Sequence, residues 1–239
     1  MDVDWLEFYG LKGDPFSAGP LRFPAQFRDI FVTTPLVQNK VNPIVRTIEE
    51  SDRYLYLILG ERGVGKSTLL WYIYNKLDER ENILPIHVSL TPKTYETKHQ
   101  EHSLAIDLAN RVTSKTLERI REKYNELYID STYQLDKLDN KLTEKSLNFD
   151  QLRKTAPKIF KALDENDKIP VIIVDNLDKF KDDLALDFLS YHYGQALFED
   201  IFQPYTKFFI AAELKWSRKF DKKNTHILET PLLSSLLII

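Results

Sequence analysis

The pattern of apolar and polar positions along the chain predicts five short strands separated by helical segments. Apolar runs of strand length stand at five places, which are 54–59, 83–90, 168–175, 206–212 and 225–230. Apolar residues at helical spacing predict helices over 43–52, 66–80 and 182–201. Buried strands that alternate with helices in this way are typical of a parallel α/β sheet.

The longest polar stretch, residues 95–167, interrupts this alternation between the second and third strands. Its apolar residues recur three, four or eight positions apart, and they are Leu104, Leu108, Val112, Ile120, Tyr124 and Leu127. This spacing predicts a helical insertion, most simply an amphipathic bundle packed beside the sheet. Upstream, residues 1–35 contain several glycines and prolines and predict an irregular N-terminal arm, so that the core spans 36–239.

The composition narrows the class of protein. The chain has 239 residues, of which 43% are hydrophobic and 29% charged, as in a soluble globular protein. Its 33 basic and 36 acidic residues give a net charge of −3, which does not favour nucleic-acid binding except through a local patch. The absence of cysteine excludes disulfides and thiolate chemistry and fits the cytoplasmic location that we expect. No apolar run reaches the ~20 residues of a membrane-spanning helix, so we expect no membrane association.

One motif is highly specific, because the run GERGVGKS from Gly60 to Ser67 matches G-x-x-x-x-G-K-[ST] at every fixed position. Its glycines let the backbone wrap closely around phosphates, and the next helix begins there with its positive dipole end. Lys66 would reach the β- and γ-phosphates, and the Ser67 hydroxyl would bind Mg²⁺. The motif therefore predicts ATP and Mg²⁺ as cofactors. The residues predicted to bind them are Gly60, Glu61, Arg62, Gly63, Val64, Gly65, Lys66, Ser67 and Thr68.

A carboxylate completes the predicted metal site. The third strand reads VIIVD and ends at Asp175, which is the Walker B pattern of four apolar β-branched residues followed by an acid. A carboxylate at this edge of the sheet can orient the Mg²⁺ water shell opposite Ser67. A second run, Asn75 to Asp78, fits the guanine-reading pattern N-K-x-D, but it lies on the helix that leaves the P-loop. We interpret it as ordinary helix surface, so it does not argue for GTP.

Two segments, GERGVGKST and VIIVDNLDKF, resemble the nucleotide sites of AAA+ and STAND-type ATPases, including origin-recognition, transposition and signal-switch ATPases. The opening FYGLKGDPFS resembles the start of secretion- and transposition-type AAA+ ATPases. The resemblance covers about residues 31–232 and implies the sheet order 5-1-4-3-2 of the additional-strand (ASCE) P-loop ATPases. In such relatives the fifth strand leads into a helical lid. Here Pro231 begins a similar segment that reaches only Ile239, so we expect the lid to be truncated or supplied by another chain.

Two positions depart from the pattern of the resembling family. Asn176 stands where these ATPases carry the glutamate that polarises the attacking water, and an amide is a very poor base. Asp178 could compensate, since D-N-L-D is similar to the D-D-L-D run of some STAND-type ATPases, or it could be a helix cap or a solvated loop acid. The fourth strand runs into Glu213, where the family carries an asparagine or threonine sensor, and Glu213 is a candidate for orienting water.

The segment between the fourth and fifth strands holds a further candidate. AAA+ assemblies place an arginine there that reaches the γ-phosphate of a neighbouring copy, and Arg218 stands in this interval. Four lysines accompany it beside Trp216 and Phe220, a combination that could contact nucleic acid. A charged loop exposed to water explains these residues equally well.

Two accounts of function follow from the sequence. In the first, the chain is an ATP-driven switch or DNA-associated ATPase with slow hydrolysis, whose partners are DNA, further copies of itself or an effector protein. In the second, it is a non-hydrolysing nucleotide-binding module that serves assembly, and Asn176 favours this account. A P-loop kinase is a weaker third account, because no arginine-rich lid follows the third strand.

Overall fold

The structure is a computed structural model that describes residues 34–35, 37–51, 55–90, 103–124, 147–180, 201–202, 206–212 and, for the backbone, 225–229. Four helices lie within these residues, namely α1 (Asn42–Thr47), α2 (Lys66–Asp78), α3 (Ser103–Lys123) and α4 (Phe149–Asp164). The strands are β1 (Leu55–Leu59), β2 (Ile83–Ser89), β3 (Ile169–Asp175), β4 (Lys207–Ala212) and β5 (Thr225–Glu229). A π-helical turn (Val37–Val41) precedes α1, and a 3₁₀ turn (Leu177–Lys179) follows β3.

The strands form one parallel sheet in the order β2-β3-β4-β1-β5. Read from the opposite edge, this order is 5-1-4-3-2. Strand β1 lies between β4 and β5, and Leu55 is in register with Phe208 and Thr225. Since all strands run in the same direction, the carboxyl ends of β1, β2 and β3 lie at one edge of the sheet, where ligands bind in open α/β folds.

Both faces of the sheet are buried. Along β1, Leu55, Leu57 and Leu59 pack in a cluster with α3 and α4, whereas Tyr56 and Ile58 pack in a second cluster with α1 and α2. Successive residues of a strand point to opposite faces, so a strand covered on both sides must be apolar throughout. This requirement explains the unbroken apolar runs in the sequence, and the predicted parallel α/β sheet with flanking helices is confirmed.

Helix α3 covers the edge of the sheet at β2. Lys123 Nζ donates to the carbonyl of Ile83 at 2.9 Å, and Lys115 Nζ donates to the carbonyl of His87 at 2.8 Å. Between these two carbonyls stands Pro85, which has no N–H group to satisfy. The lysines therefore satisfy the polar groups that an edge strand leaves open, and they hold α3 against the sheet.

The predicted insertion contains α3 and α4, which a buried amide joins. Asn110 of α3 donates to the carbonyl of Leu147 and accepts a hydrogen bond from the Leu147 N–H, both at 2.9 Å. The next residue, Asn148, caps α4 in a capping box with Gln151, at 2.9 and 3.0 Å. Leu147 and Asn148 thus fix the start of α4 against α3.

The predicted helix over 43–52 was wrong at its end. The structure has α1 over Asn42–Thr47, with Pro43 in its first turn, and the chain then turns at 48–50. Ile48 is fully buried in that turn. No helix among the described residues is long and apolar enough to cross a membrane. The predicted arm up to residue 33, residues 182–200 of the predicted helix, Leu127 and the segment 231–239 lie outside the described residues.

Candidate nucleotide-binding site

The P-loop occupies residues 60–65, between the end of β1 and the start of α2. Two of its glycines, Gly63 and Gly65, have φ of 82° and 89°. This left-handed region disfavours residues with a Cβ atom, so the backbone favours glycine both at Gly65, a fixed position of the motif, and at Gly63, one of its variable positions. The N–H of Gly60 donates to the carbonyl of Ala212 at 3.3 Å and fixes the start of the loop on β4.

Lys66 is the first residue of α2, and its side chain folds back over the loop. Its Nζ atom donates to the carbonyl of Gly60 at 2.9 Å and to the carbonyl of Glu61 at 2.8 Å. The residue is only 5% exposed, so its charge is held at the mouth of the loop rather than in bulk water. Because the N-terminus of α2 faces the same point, the positive end of the helix dipole adds to the field of Lys66.

Ser67 and Asp175 are in direct contact across the edge of the sheet. The Ser67 Oγ atom donates to Oδ1 of Asp175 at 3.0 Å, although the residues are 108 positions apart in the chain. Asp175 is 6% exposed and ends β3, and Ser67 stands in the first turn of α2. A hydroxyl and a carboxylate on two rigid elements form a hard oxygen donor pair of the kind that Mg²⁺ prefers, so these residues fit the metal of an Mg·ATP complex.

Asn176 adopts an unusual backbone conformation immediately after Asp175. Its φ and ψ are 67° and 18°, in the left-handed region that asparagine tolerates better than most residues. Its N–H donates to Asp175 Oδ1 at 2.7 Å, and its Nδ2 donates to Ser89 Oγ at 2.6 Å. The backbone N–H of Asn176 therefore orients the Asp175 carboxylate, and the side-chain amide of Asn176 is tied to β2.

Ser89 was missed in the sequence. It is the last residue of β2, in register with Asp175 of the neighbouring strand, so it stands at the same edge of the sheet. A polar residue closing the apolar run ILPIHVS was the available signal. Its significance depends on the pairing of β2 with β3, which the sequence alone does not state.

The structure brings Lys66, Ser67, Asp175 and Asn176 together, and their roles in binding and turnover stay predictions. The other predicted P-loop residues surround them: Glu61 and Arg62 are exposed, Val64 is buried and Thr68 is partly buried. Asp178 lies in the 3₁₀ turn, but its side chain is outside the described part, as are Glu213 and Arg218 with the neighbouring basic and aromatic residues.

The guanine-reading pattern is part of the fold. Asp78 closes α2 and accepts hydrogen bonds from Arg119 Nη2 at 2.7 Å and Lys123 Nζ at 3.1 Å, both on α3. Leu77 beside it is fully buried. Asp78 is therefore engaged in the packing of α2 against α3 rather than lying on an ordinary helix surface as predicted, and the run has a structural role in the fold.

The arrangement can hold an anion and a divalent cation side by side. The loop offers backbone N–H groups, the α2 dipole and the Lys66 ammonium to phosphate oxygens, while Ser67 and Asp175 offer oxygen atoms to the metal. The residue that follows Asp175 is Asn176, which carries an amide rather than a carboxylate. An amide can orient water but cannot accept its proton at neutral pH.

The comparison with protein-family models agrees with this geometry. A family model described as an AAA domain matches residues 48–201. Among solved structures, that of the Aeropyrum pernix ORC1 protein in complex with DNA is similar, at 13% sequence identity and a TM-score of 0.47. The match covers 88% of this chain and 48% of that one, so the chain spans about half the length of that protein. No curated protein matches the sequence. Because the matched family model covers well over half of the chain and includes the P-loop, α2 and β3, the chain belongs to the AAA domain family of P-loop ATPases.

Proposed function

We propose that the chain is an Mg·ATP-binding molecular switch with slow hydrolysis. The observation that carries this proposal is the 3.0 Å hydrogen bond between Ser67 and Asp175, which joins the P-loop helix to the end of β3. It supports the proposal, because a hydroxyl and a carboxylate this close could both bind one metal ion. Membership of the AAA domain family supports nucleotide binding.

Lys66 would take part in binding by exchanging partners. Its ammonium donates to the carbonyls of Gly60 and Glu61. Phosphate oxygens would replace these neutral acceptors with charged ones, which adds the attraction of opposite charges to the hydrogen bonds of the ammonium. Ser67 and Asp175 would hold the Mg²⁺, which supplies neutralisation of the phosphate charge when it is bound.

Slow turnover follows from Asn176. Its side-chain amide is held by Ser89 at 2.6 Å and has no basic lone pair with which to accept a proton from water. Asp178, in the 3₁₀ turn that follows, and Glu213, after β4, are the carboxylates proposed to orient the attacking water in its place. If neither does so, the chain is the alternative, a nucleotide-binding assembly module that hydrolyses little.

Switching requires partners that sense the nucleotide. We propose that DNA, a second copy of the chain or an effector protein serves in this role, and that Arg218 reaches the γ-phosphate of a neighbouring copy. The basic and aromatic residues around Trp216 support DNA as one of these partners. A reducing cytoplasm is the compartment that the absence of cysteine supports.

Steady-state phosphate release, measured with and without duplex DNA, tests this proposal. We expect a rate well below the typical enzyme value of ~10 s⁻¹ for the chain alone. Asp178→Asn and Glu213→Gln should identify the group that orients water, since one of them should abolish the remaining rate. A fast wild-type chain that is insensitive to both substitutions would overturn slow turnover, whereas a chain with no release but normal ATP binding would favour the assembly module.

A further inference from the structure

Helix α4 carries three lysines on the side that faces away from the core. We call Lys154, Lys158 and Lys161 the lysine stripe. All three are exposed. At about 100° per residue, they fall within an arc of roughly 60° around the helix. The opposite side of α4 is buried, with 0–1% exposure at Leu152, Ala156, Ile159, Phe160 and Leu163.

The orientation of this helix is fixed. Its buried residues belong to the core cluster that covers one face of the sheet, and its first turn is held by the capping box of Asn148 and Gln151. Rotation of α4 would expose Phe160 and Leu163, at about 1.5–3 kcal/mol for each side chain. The lysine stripe therefore stays on the outside of the molecule.

The charge of this surface is opposite to that of the chain. From Phe149 to Glu165, α4 and its C-cap contain four basic residues, the lysine stripe and Arg153, and three acidic ones, Asp150, Asp164 and Glu165, so they carry +1 against −3 for the whole chain. Lys161 pairs with Glu165 at 3.3 Å, but both side chains are 61% exposed, and such surface pairs contribute little. Within the described residues, Lys154 and Lys158 have neither an ion pair nor a hydrogen bond.

Basic residues of helix α3 differ from the lysine stripe in what they contact. They hold the fold together: Lys115 donates to β2, Lys123 donates to the carbonyls of Asp78, Arg80 and Ile83, and Arg119 pairs with Asp78. The lysine stripe makes no comparable contact with the core or with the sheet. Lys154 and Lys158 are thus free to meet an external anion, and Lys161 shares only an exposed pair with Glu165.

We propose that the lysine stripe binds the backbone phosphates of duplex DNA without reading its sequence, an inference that rests on the DNA association proposed above and names its surface. The three lysines extend over about 10 Å along the helix axis. Duplex DNA presents one charge per ~1.7 Å of its own axis, so several phosphates come within reach. Among the described residues of α4, no exposed side chain is aromatic or apolar, as base stacking or membrane insertion would require.

The test is fluorescence anisotropy of a labelled duplex of about 20 base pairs with the full chain in Mg·ATP, at several salt concentrations. The variant is Lys154→Gln with Lys158→Gln, and the matched control is Lys40→Gln with Lys76→Gln, two exposed lysines outside α4. Both variants lose two charges, and glutamine suits a helix nearly as well as lysine. Thermal unfolding and ATP titration of both variants establish that they fold and bind nucleotide.

Loss of two phosphate contacts should flatten the slope of log K against log salt by about 1.8, equivalent to roughly 60-fold weaker binding at 0.1 M salt. The control should keep the wild-type slope. Equal behaviour of the two variants, with DNA bound by both, would place the contact elsewhere and leave the DNA association standing. The inference would be overturned if the wild-type chain bound no duplex at low salt. It would also be overturned if the stripe variant lost only its binding to vesicles of anionic lipid. In either case, ATP titration would still test the nucleotide site separately.

Discussion

Replacement of Asn176 by glutamate should lower the free energy of unfolding by about 2 kcal/mol. The first contribution comes from the backbone, which has φ of 67° at this position. Asparagine adopts this left-handed conformation more readily than glutamate, for which we take a cost of about 1 kcal/mol. The second comes from the 2.6 Å hydrogen bond to Ser89, which glutamate cannot donate and which contributes about 1 kcal/mol.

Thermal and urea unfolding of three variants separate these contributions. Asn176→Glu should lower Tm by roughly 4–8 °C, as expected for 2 kcal/mol in a chain of this size. Asn176→Gly keeps the left-handed backbone and loses only the hydrogen bond, so its effect should be about half as large. Ser89→Ala removes the same hydrogen bond from the other side and should match the glycine variant. An Asn176→Glu variant as stable as the wild type would refute the reasoning from both the backbone and the hydrogen bond.

The same glutamate tests the account of turnover. A carboxylate that reaches the attacking water typically contributes 10²–10⁴-fold to the rate, so Asn176→Glu should raise phosphate release if it can occupy the place of the amide. An unchanged rate in a folded, ATP-binding Asn176→Glu variant would mean that another carboxylate already orients the water. In that case, Asp178→Asn or Glu213→Gln should abolish turnover.

Three further predictions concern the metal, the packing of α3 and the pH dependence of stability. Asp175→Asn should weaken ATP binding more in Mg²⁺ than in EDTA, and equal losses measured by calorimetry would remove Asp175 from the metal site. Lys123→Met should destabilise the fold by about 2 kcal/mol in urea unfolding, since the side chain is only 15% exposed and its ammonium donates to the carbonyls of Arg80 and Ile83. An unchanged free energy of unfolding would show that these contacts are dispensable. Burial lowers the pKa of His87 to about 4, with a smaller contribution from Lys115, so its ring stays neutral in the native state while the unfolded chain gains a proton near pH 6.5. The free energy of unfolding should therefore fall by up to about 3 kcal/mol as the pH is lowered from 6.5 to 4. His87→Phe retains an aromatic ring against Trp71 and should flatten this fall. Identical pH profiles of wild type and variant would contradict the lowered pKa of His87.

The sheet and the motifs could be predicted because each is a local property of the sequence. A strand buried on both faces must be apolar throughout, so β1 and β3 were visible as unbroken runs whose predicted ends lie within a residue of those observed. The P-loop was equally visible, since the run from Gly60 to Ser67 fits the motif at every fixed position, and the positive φ of Gly65 explains why glycine stands there.

Contacts between distant segments could not be predicted in the same way. Ser89 meets Asn176 only because β2 and β3 pair in a particular register. The covering of the β2 edge by Lys115 and Lys123 depends on where α3 packs, and at the sequence level these lysines resemble those of any amphipathic helix. The left-handed backbone of Asn176 also follows from the turn after β3, which no motif specifies.

The central claim is that the P-loop binds Mg·ATP through Lys66, and calorimetric titration of ATP in Mg²⁺ tests it most directly. The matched control is Lys76→Ala, since Lys76 lies on the exposed surface of the same helix and pairs only with Glu79 among the described residues. We predict that Lys66→Ala weakens ATP binding by at least about 10- to 100-fold, the equivalent of the 1.5–3 kcal/mol of a charged hydrogen bond, and that Lys76→Ala binds like the wild type. Equal affinity of wild type and Lys66→Ala would contradict the claim.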